Sequence, residues 1–225
     1  MIKAKVSDIF YSVQGEGIYS GSPQVFVRFY GCRLNCAFCD TRLNAFDKYT
    51  PLGLWRRLKA YTQDYHSLCL TGGEPLLEKK FLKQFLPLAK YDGKIIYLET
   101  NGIEVAALKE LIEQIDIIAM DIKLPSSTRM RPFWQEHRRF LRAALGKEVF
   151  VKMVVCLRTT REDIAQAVKL LVEAGAKDIP LILQPNYFEL NKELQAKLRA
   201  LRYYCLRSLK QVRVVPQLHR LMGVK

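Results

Sequence analysis

The sequence lacks any apolar run long enough to cross a bilayer, and its first residues lack the apolar core of a secretion signal. It also lacks linkers and low-complexity segments that would divide it. These absences predict a cytoplasmic protein with no membrane partner. Because 225 residues can bury a sizeable core, we expect a single domain over residues 1–225.

Acidic residues are scarce: 22 stand against 36 basic residues, for a formal net charge of +14. Such a field favours nucleic acid, acidic substrates or an acidic redox partner, although a solvated basic surface is the simpler explanation. The sequence also has no aromatic-rich strand pair and no zinc knuckle, which are typical of RNA-binding modules. We therefore expect no nucleic-acid partner.

Cysteine is infrequent, yet Cys32, Cys36 and Cys39 fall within eight residues, spaced C-x3-C-x2-C. Thiolates are soft ligands that suit zinc or an iron–sulfur cluster. A closed site needs a fourth ligand, and the nearest candidates, His66 and Cys69, are remote in sequence. Three thiolates can hold three irons of a [4Fe–4S] cube and leave one iron open to a small molecule. A zinc site completed from afar, or a half-formed disulfide set, remains as an alternative. The other cysteines lie among apolar residues, which indicates buried thiols.

Strand and helix patterns alternate along the chain, which predicts an α/β fold with a parallel, curved sheet. Thr50 and Pro51 form an N-cap and first-turn pair that opens a helix. The predicted strands are 24–30, 66–70, 94–100, 117–123, 149–155, 181–184 and 212–215. The predicted later helices are 79–89, 105–114, 131–145, 162–173 and 191–206.

Two glycine-containing turns and one buried arginine are candidate site features. Gly15-Glu16-Gly17 indicates a turn where the backbone approaches another group closely. Thr71-Gly72-Gly73-Glu74-Pro75 follows a short strand. Arg28 stands within an otherwise apolar strand, where its guanidinium needs a carboxylate partner; Glu16 and a substrate are both candidates.

The cysteine spacing, the aromatic residue Phe38 before the last cysteine and the Gly-Gly-Glu-Pro turn resemble the radical S-adenosylmethionine (SAM) superfamily. The resemblance implies a partial (βα)6 barrel with ligands at the carboxyl ends of the strands. It implies a [4Fe–4S] cluster whose open iron binds the amino and carboxylate groups of SAM, and a 5′-deoxyadenosyl radical formed by one-electron cleavage. The Gly-Gly-Glu-Pro turn would bind the amino group of SAM, since the carboxylate of Glu74 suits an ammonium.

The N-terminal pattern Phe10-x-Ser12-x-Gln14-Gly15-Glu16-Gly17, with Cys39-Asp40-Thr41 and the tail 217–220, resembles the 7-carboxy-7-deazaguanine synthase (QueE) family. That family implies a lyase of queuosine and deazapurine biosynthesis. Its reaction converts 6-carboxy-5,6,7,8-tetrahydropterin to 7-carboxy-7-deazaguanine by a radical ring contraction that expels ammonia, and it requires SAM and Mg²⁺. The remaining partners that we expect are a flavodoxin-like electron donor and a second copy of the chain in a homodimer.

The resemblance also implies residue roles. Cys32, Cys36 and Cys39 would hold the cluster, and Thr41 would be the Mg²⁺ ligand. The predicted substrate-binding residues are Val13, Gln14, Gly15, Glu16, Arg28, Thr71 and His219. The predicted SAM-binding residues are Phe38, Cys39, Asp40, Gly73, Glu74, Asp121, Ile122, Lys123, Gln184, Pro185, Asn186 and Tyr187. The sequence departs from the family at Asp121-Ile122-Lys123, where other members have Ser-Pro-Lys.

Two alternative functions stay open at this point. A glycyl-radical-enzyme activating enzyme shares the cysteine spacing and the glycine turn, but it has no need of Gln14, Glu16 or Arg28 for a pterin. A basic nucleic-acid-binding module with a structural metal would explain the charge and the cysteines. Glu99 and Asn101 end a strand at the expected ligand-binding edge, and we place neither among the predicted site residues.

Overall fold

Strands and helices alternate along the chain as the apolar pattern predicts, and the computed structural model describes residues 2–41 and 43–224. Residues 1, 42 and 225, which the predicted domain includes, lie outside the described part, and the single domain stays a prediction. The strands are β1 (Ala4–Val13), β2 (Pro23–Phe29), β3 (Asp47–Tyr49), β4 (Ser67–Gly72), β5 (Ile96–Thr100), β6 (Ile117–Asp121), β7 (Glu148–Val155), β8 (Leu181–Pro185) and β9 (Val212–Val214). The helices are α1 (Pro51–Leu58), α2 (Lys79–Tyr91), α3 (Val105–Leu111), α4 (Pro125–Thr128), α5 (Trp134–Ala144), α6 (Arg161–Glu173), α7 (Lys192–Leu206) and α8 (Leu218–Met222).

The nine strands form one sheet in the order β3-β1-β2-β4-β5-β6-β7-β8-β9. From β2 to β9 every neighbouring pair is parallel, because a helical crossover returns the chain to the same edge each time. The predicted α/β class with a parallel sheet is thus confirmed. The antiparallel strands β1 and β3 extend the sheet at one side and were not predicted.

Element boundaries differ from the predicted ones where local chemistry intervenes. The helix predicted from residue 131 begins at Trp134, because Pro132 disfavours helical backbone in the residue before it. The helix predicted over 105–114 tightens to a 3-10 turn after Leu111. The predicted N-cap is confirmed: the Thr50 side chain accepts a hydrogen bond from the Gly53 amide. No helix in the described residues is both long and apolar enough to span a membrane.

Two apolar layers lie on opposite faces of the sheet. The larger layer packs the outer face against the helices and includes Leu68, Leu70, Phe81, Phe85 and Phe140. The smaller layer fills the concave side, and its members come from strands β1, β2 and β4 to β8: Phe10, Phe26, Cys69, Tyr97, Ile117, Ala119, Phe150 and Ile182. This inner layer forms an apolar floor inside the curved sheet.

The connection between β1 and β2 closes the floor. Gly17 has φ +71 and lies directly against the Phe150 ring, so a β-carbon there would stand 2.4 Å from the ring. The Tyr19 hydroxyl donates to the Glu148 carboxylate at the start of β7. The glycine turn predicted at 15–17 therefore serves a close approach, as expected, and one of its partners is the opposite side of the barrel.

Candidate active site

A polar wall lies directly above the apolar floor. In each of six strands, one inward-facing residue is apolar and the next inward-facing residue, two positions later, is polar. The successive inward pairs are Phe26 and Arg28, Cys69 and Thr71, Tyr97 and Glu99, Ala119 and Asp121, Phe150 and Lys152, and Ile182 and Gln184. The polar members lie toward the carboxyl ends of parallel strands, and all six line one or both of two adjoining cavities. Ligand sites of α/β folds occur at this edge.

The larger cavity, of about 530 Å³, is lined by all three cysteines of the loop between β2 and β3. Cys32 and Cys39 are exposed and Cys36 is half-buried, whereas Cys69, Cys156 and Cys205 are buried, as predicted. Partial burial raises the pKa of the Cys36 thiol to about 11. Without a bound cation this thiol is therefore protonated at neutral pH.

The donor set of this cavity fits an iron–sulfur cluster with one open corner. Three thiols line the cavity, and no other cysteine and no histidine is among its lining residues. Within residues 2–41 and 43–224, no three histidine, cysteine or acidic side chains converge closely enough to hold a single metal ion. Soft thiols spread around a common space suit a multi-iron group better than one zinc ion.

The glycine turn after β4 is built against the start of the cysteine loop. A β-carbon on Gly73 would stand 1.9 Å from the Gly31 carbonyl oxygen, and Gly72 has φ +120. The Glu74 amide donates to the Gly31 carbonyl at 2.9 Å, and the Gly73 amide donates to the Phe29 carbonyl at 3.0 Å. Only glycine permits this approach, so the backbone fixes the two motifs to each other.

Glu74 uses its carboxylate within the protein. The side chain is 1% exposed and accepts hydrogen bonds from the Leu76 amide, the Thr100 hydroxyl and the Asn101 amide, at 2.8 to 3.1 Å. Burial raises the pKa of Glu74 to about 7. The carboxylate holds the end of β5 and is not among the residues that line either cavity. Its predicted contact with the SAM ammonium stays a prediction.

The structure brings most of the predicted SAM residues to the larger cavity. Those that line it are Phe38, Cys39, Asp40, Gly73, Asp121, Lys123, Gln184 and Asn186. Glu74, Ile122, Pro185 and Tyr187 do not line it. Ile122 is 1% exposed within the outer apolar layer, because its side chain points away from the cavity that its neighbours face. Within the stretch 121–123, the Lys123 ammonium donates to Asp121 Oδ2 at 2.8 Å.

The smaller cavity, of about 210 Å³, is lined by all of the predicted substrate residues. They come from the end of β1 and the turn that follows it, from β2, from β4 and from α8: Val13, Gln14, Gly15, Glu16, Arg28, Thr71 and His219. Several residues line both cavities and form a common wall: Glu16, Asp40, Thr41, Thr71 and Glu99. A molecule in one cavity would therefore lie next to a molecule in the other.

Glu16 is a carboxylate of the common wall that accepts three hydrogen bonds. Its Oε1 accepts from the Gln184 amide at 3.0 Å and from the Gln217 amide at 2.8 Å, and its Oε2 accepts from the Lys152 ammonium. Burial alone would raise the pKa of Glu16, but the Lys152 charge and these hydrogen bonds lower it to about 2. Glu16 is therefore ionised throughout the physiological range.

Gln14 orients the neighbouring acids. Its amide nitrogen donates to Gln24 Oε1 at 2.9 Å and to Glu99 Oε1 at 3.0 Å, and its oxygen accepts from the Glu16 amide at 3.0 Å. The Thr71 hydroxyl donates to the other oxygen of Glu99 at 2.5 Å. Each Glu99 oxygen therefore keeps acceptor capacity that faces the cavities. The Gln14 amide, in contrast, is already occupied within the protein.

Arg28 does not pair with Glu16, the first of its two candidate partners. Glu16 is occupied by Lys152 and two amides, and the Arg28 guanidinium carbon lies 5.1 Å from the Phe10 ring centroid. Its Nε is buried and has no hydrogen-bond partner among the described residues. Of the two partners considered from the sequence, the geometry leaves a substrate carboxylate.

The segment around α8 covers the smaller cavity. The Leu218 amide donates to the Gly15 carbonyl at 2.8 Å. The Gln217 amide donates to Asp40 Oδ2 at 3.1 Å, and the Arg220 guanidinium donates to the same oxygen at 3.0 Å. This segment therefore connects the N-terminal turn to the cysteine loop. Thr41, the predicted Mg²⁺ ligand, lies beside this junction and lines both cavities.

Sequence reasoning did not assign four of these site residues: Glu99, Lys152, Gln217 and Arg220. Lys152 is a charge inside a β-branched strand, as Arg28 is, and that signal was available. Glu99 belongs to the apolar-to-polar step that recurs in six strands, which becomes visible only when the strands are aligned by register. Gln217 and Arg220 belong to the tail 217–220 that the family resemblance includes, but nothing local assigned them a role, because their partners lie about two hundred residues earlier.

Comparison with known proteins agrees with this site. A model of the radical SAM superfamily matches residues 26–185. The 7-carboxy-7-deazaguanine synthase of Geobacter sulfurreducens is 36% identical over 98% of this chain and 97% of its own length, and that of Methanocaldococcus jannaschii is 30% identical over 97% and 99%. The crystal structure of QueE from Escherichia coli superposes with a TM-score of 0.67 at 19% identity, covering 96% of this chain and 95% of that one, which supports the fold.

Membership of the superfamily implies a [4Fe–4S] cluster and SAM. The superfamily match, the two full-length relatives and the cysteine-lined cavity lead to the same assignment. The chain belongs to the radical SAM superfamily and, within it, to the 7-carboxy-7-deazaguanine synthase family.

Proposed function

We propose that this enzyme converts 6-carboxy-5,6,7,8-tetrahydropterin to 7-carboxy-7-deazaguanine with loss of ammonia, as a lyase of deazapurine and queuosine biosynthesis. The carrying observation is the pair of adjoining cavities: one is lined by three cysteines, and the other by every predicted substrate residue. Full-length similarity to synthases of this name favours the small-molecule reaction over a glycyl-radical activating enzyme.

Cys32, Cys36 and Cys39 would hold the cluster, and SAM would lie in the larger cavity beside them. When bound, the cluster supplies one electron to SAM, and SAM supplies the radical that removes a hydrogen atom from the substrate. Phe38 lines the cavity next to the cysteines, and the Lys123 ammonium lies 5.5 Å from its ring centroid. The ring and the ammonium border the space in which SAM would bind.

The chain's own residues bind and orient the substrate. Arg28 would pair with the substrate carboxylate, because its buried Nε has no partner among the described residues and it faces the smaller cavity. Glu16 is ionised, and each oxygen of Glu99 has only one donor within the described part of the chain. Both side chains would accept hydrogen bonds from the N–H groups of the pterin. The apolar floor beneath them, including Phe10 and Phe26, excludes water from one side.

Mg²⁺ would bind at the junction of the two cavities, with Thr41 as its protein ligand. Magnesium commonly keeps several waters and few protein ligands, so one hydroxyl with substrate oxygens is a reasonable set. The Thr41 hydroxyl lies 3.4 Å from Asp40 Oδ1, and Gln217 and Arg220 donate to the other oxygen of that carboxylate, Oδ2. The ion would offset negative charge on the substrate.

The enzyme would act in the cytoplasm as a homodimer. A flavodoxin-like protein would deliver the electron to the cluster. The donor proposal is supported by the net charge of +14 and by the position of Arg129. Arg129 is exposed and directly follows Thr128, whose carbonyl accepts a hydrogen bond from the Ala37 amide in the cysteine loop. An acidic protein could therefore dock near the cluster.

Anaerobic turnover tests the proposed function. The reconstituted enzyme is incubated with SAM, a reductant, Mg²⁺ and 6-carboxy-5,6,7,8-tetrahydropterin, and the products are separated by chromatography and identified by mass. We expect 7-carboxy-7-deazaguanine and ammonia, which together account for every atom of the substrate. If deoxyadenosine forms but no deazapurine acid does, the chain has radical SAM activity but acts on a different substrate.

A further inference from the structure

Lys152 is a largely buried cation that lines the larger cavity and pairs with Glu16, a residue of the common wall of the two cavities. None of the roles assigned above to the cluster, SAM or the substrate uses Lys152. It lies at the inward-facing polar step of β7, and its side chain is 13% exposed. Its ammonium donates to Glu16 Oε2 and lies 3.7 Å from Asp121 Oδ2. Glu99, on the strand next to that of Asp121, also contributes to the negative field around it.

Lys152 binds Glu16 more directly than it binds Asp121. Asp121 Oδ2 is already occupied by the Lys123 ammonium at 2.8 Å, so the 3.7 Å approach of Lys152 adds a weaker contact. Glu16 Oε2 has Lys152 as its charged partner, while Oε1 accepts two amide hydrogen bonds. Removing Lys152 would leave a buried carboxylate with neutral donors alone, which is costly.

We propose that Lys152 is a positioning residue for the pterin substrate, which acts through Glu16 by holding that carboxylate charged and in one orientation on the wall that the two cavities share. The inference rests on the proposed function for the identity of the substrate. It assigns to Lys152 no contact with the reacting atoms. Asp121, bound to Lys123, serves as a second anchor that keeps the Lys152 ammonium over the wall.

The charges around Glu16 determine what the loss of Lys152 would do. The titratable groups that interact with Glu16 are Lys152 from β7, His219 from α8, and the buried Cys69 and Tyr97 from β4 and β5. Asp121 from β6 and Glu99 from β5 face Lys152, and Asp40 is reached through Gln217. His219 lowers the pKa of Glu16 less than Lys152 does. With Lys152 gone, burial dominates and the pKa of Glu16 rises. The carboxyl group then becomes protonated, and loses acceptor capacity, as the pH falls.

A double-mutant cycle tests whether Lys152 acts through Glu16. The variants are Lys152→Met, Glu16→Gln and the double variant, each loaded with cluster and SAM. The probe is the fluorescent, air-stable acid 6-carboxypterin, titrated at constant pH. We expect Lys152→Met to weaken binding about tenfold or more in the native background, as expected when one partner of a buried charge pair is truncated. In the Glu16→Gln background, we expect the same change to cost less than about threefold, because the target of Lys152 is absent.

Lys90→Met is the matched control. Lys90 donates to both oxygens of Asp116 at 2.7 and 2.8 Å, and neither residue lines a cavity. The control loses a lysine–carboxylate pair without touching the wall, so we expect its 6-carboxypterin affinity to be unchanged. Equal losses for Lys152→Met in both backgrounds, or native affinity of the single variant, would overturn the proposal.

A second readout requires no substrate. Isotope-edited infrared spectra of ¹³C-glutamate protein report the carbonyl stretch of a protonated carboxyl group. On acidification within the range where the fold is intact, we expect Lys152→Met to show one protonated-carboxyl band more than the native enzyme, since Glu74 and the other glutamates contribute equally to both spectra. The double variant should lack this additional band. If the native enzyme fails to bind 6-carboxypterin or to form the deazapurine, the proposed function is wrong. If the band is absent from Lys152→Met, the role of Lys152 is wrong even if the function is right.

Discussion

Substituting Gly15 by alanine should displace the segment that covers the smaller cavity. A β-carbon on Gly15 would stand 1.9 Å from His219 Nδ1, 2.6 Å from Cγ and 2.8 Å from Cβ. Turning the imidazole relieves the contacts with the ring but not the contact with the His219 β-carbon. Because that atom moves only with the backbone, α8 itself must shift.

The magnitude follows from what α8 and the residue before it would release. The Leu218 amide bond to the Gly15 carbonyl is a neutral hydrogen bond, worth about 1 kcal/mol. The Gln217 bonds to the carboxylates of Glu16 and Asp40 are charge-assisted and worth about 1.5 kcal/mol or more each. The half-exposed Arg220–Asp40 pair adds at most a few tenths of a kcal/mol after solvent screening. Partial loss of this set, about 2 kcal/mol, corresponds to about a thirtyfold shift toward the open segment.

Hydrogen exchange measured by mass spectrometry reports that shift directly. We expect amides of residues 217–222 to exchange about thirtyfold faster in Gly15→Ala. We also expect the KM for the pterin to rise, by no more than this factor, since part of the cavity wall is then absent more often. The melting temperature should fall by at most about 4–8 °C, because a loss of about 2 kcal/mol corresponds to a shift of that size in a chain of this length.

Gly146→Ala is the matched control, since a β-carbon at Gly146 would meet no atom within 4 Å. We expect its exchange pattern and KM to be native. If Gly15→Ala keeps native protection of residues 217–222 and a native KM, the contact between Gly15 and His219 does not position α8, and the reasoning fails.

Three further predictions concern the cluster, the substrate carboxylate and acid stability. After reconstitution, the native enzyme should hold about four irons per chain, and Cys32→Ala should hold clearly fewer. Cys156→Ala, which changes a buried thiol outside the cysteine loop, should bind iron as the native enzyme does. Iron and sulfide analysis measures the difference. Arg28→Met should weaken 6-carboxypterin binding about tenfold but leave binding of 6-methylpterin, which lacks the carboxylate, nearly unchanged in fluorescence titrations. Burial lowers the pKa of His137 from 6.5 to about 4, so the unfolded chain binds more protons than the folded chain between those pH values. The free energy of unfolding therefore decreases by about 3 kcal/mol as the pH falls through this range. His137→Gln should flatten that part of the curve of unfolding free energy against pH in urea titrations, and an unchanged slope would contradict it.

Short motifs locate many of the residues that line the two cavities, because their geometry is local. The cysteine spacing, the glycine turn and the N-terminal Gln-Gly-Glu-Gly segment each place their residues through a few backbone torsions. All seven predicted substrate residues line one cavity, including His219 from the far end of the chain. The parallel sheet was equally accessible, since apolar strands alternating with amphipathic helices allow few other arrangements.

The rest depended on tertiary context that no local pattern carries. A glutamate in the Gly-Gly-Glu-Pro turn suits an ammonium and backbone amides equally well, and only packing shows that the Glu74 carboxylate turns inward to the end of β5. Lys152 resembles an isolated charge in a strand until its register with Asp121 is known. Strand β1 was missed because its pairing with β2 and β3, rather than strong alternation, establishes it.

The bond between Gln217 and Glu16 spans 201 residues, so one half of the substrate cavity is synthesised long before the other. A nascent chain that has emerged as far as β8 already contains the cysteine loop and the glycine turn, but it lacks the segment that covers the smaller cavity. The ribosome must add and release residues 217–220 before the wall around Glu16 is complete. During translation, therefore, the cluster-binding loop can form before the smaller cavity is closed. The substrate site is complete only when α8 docks.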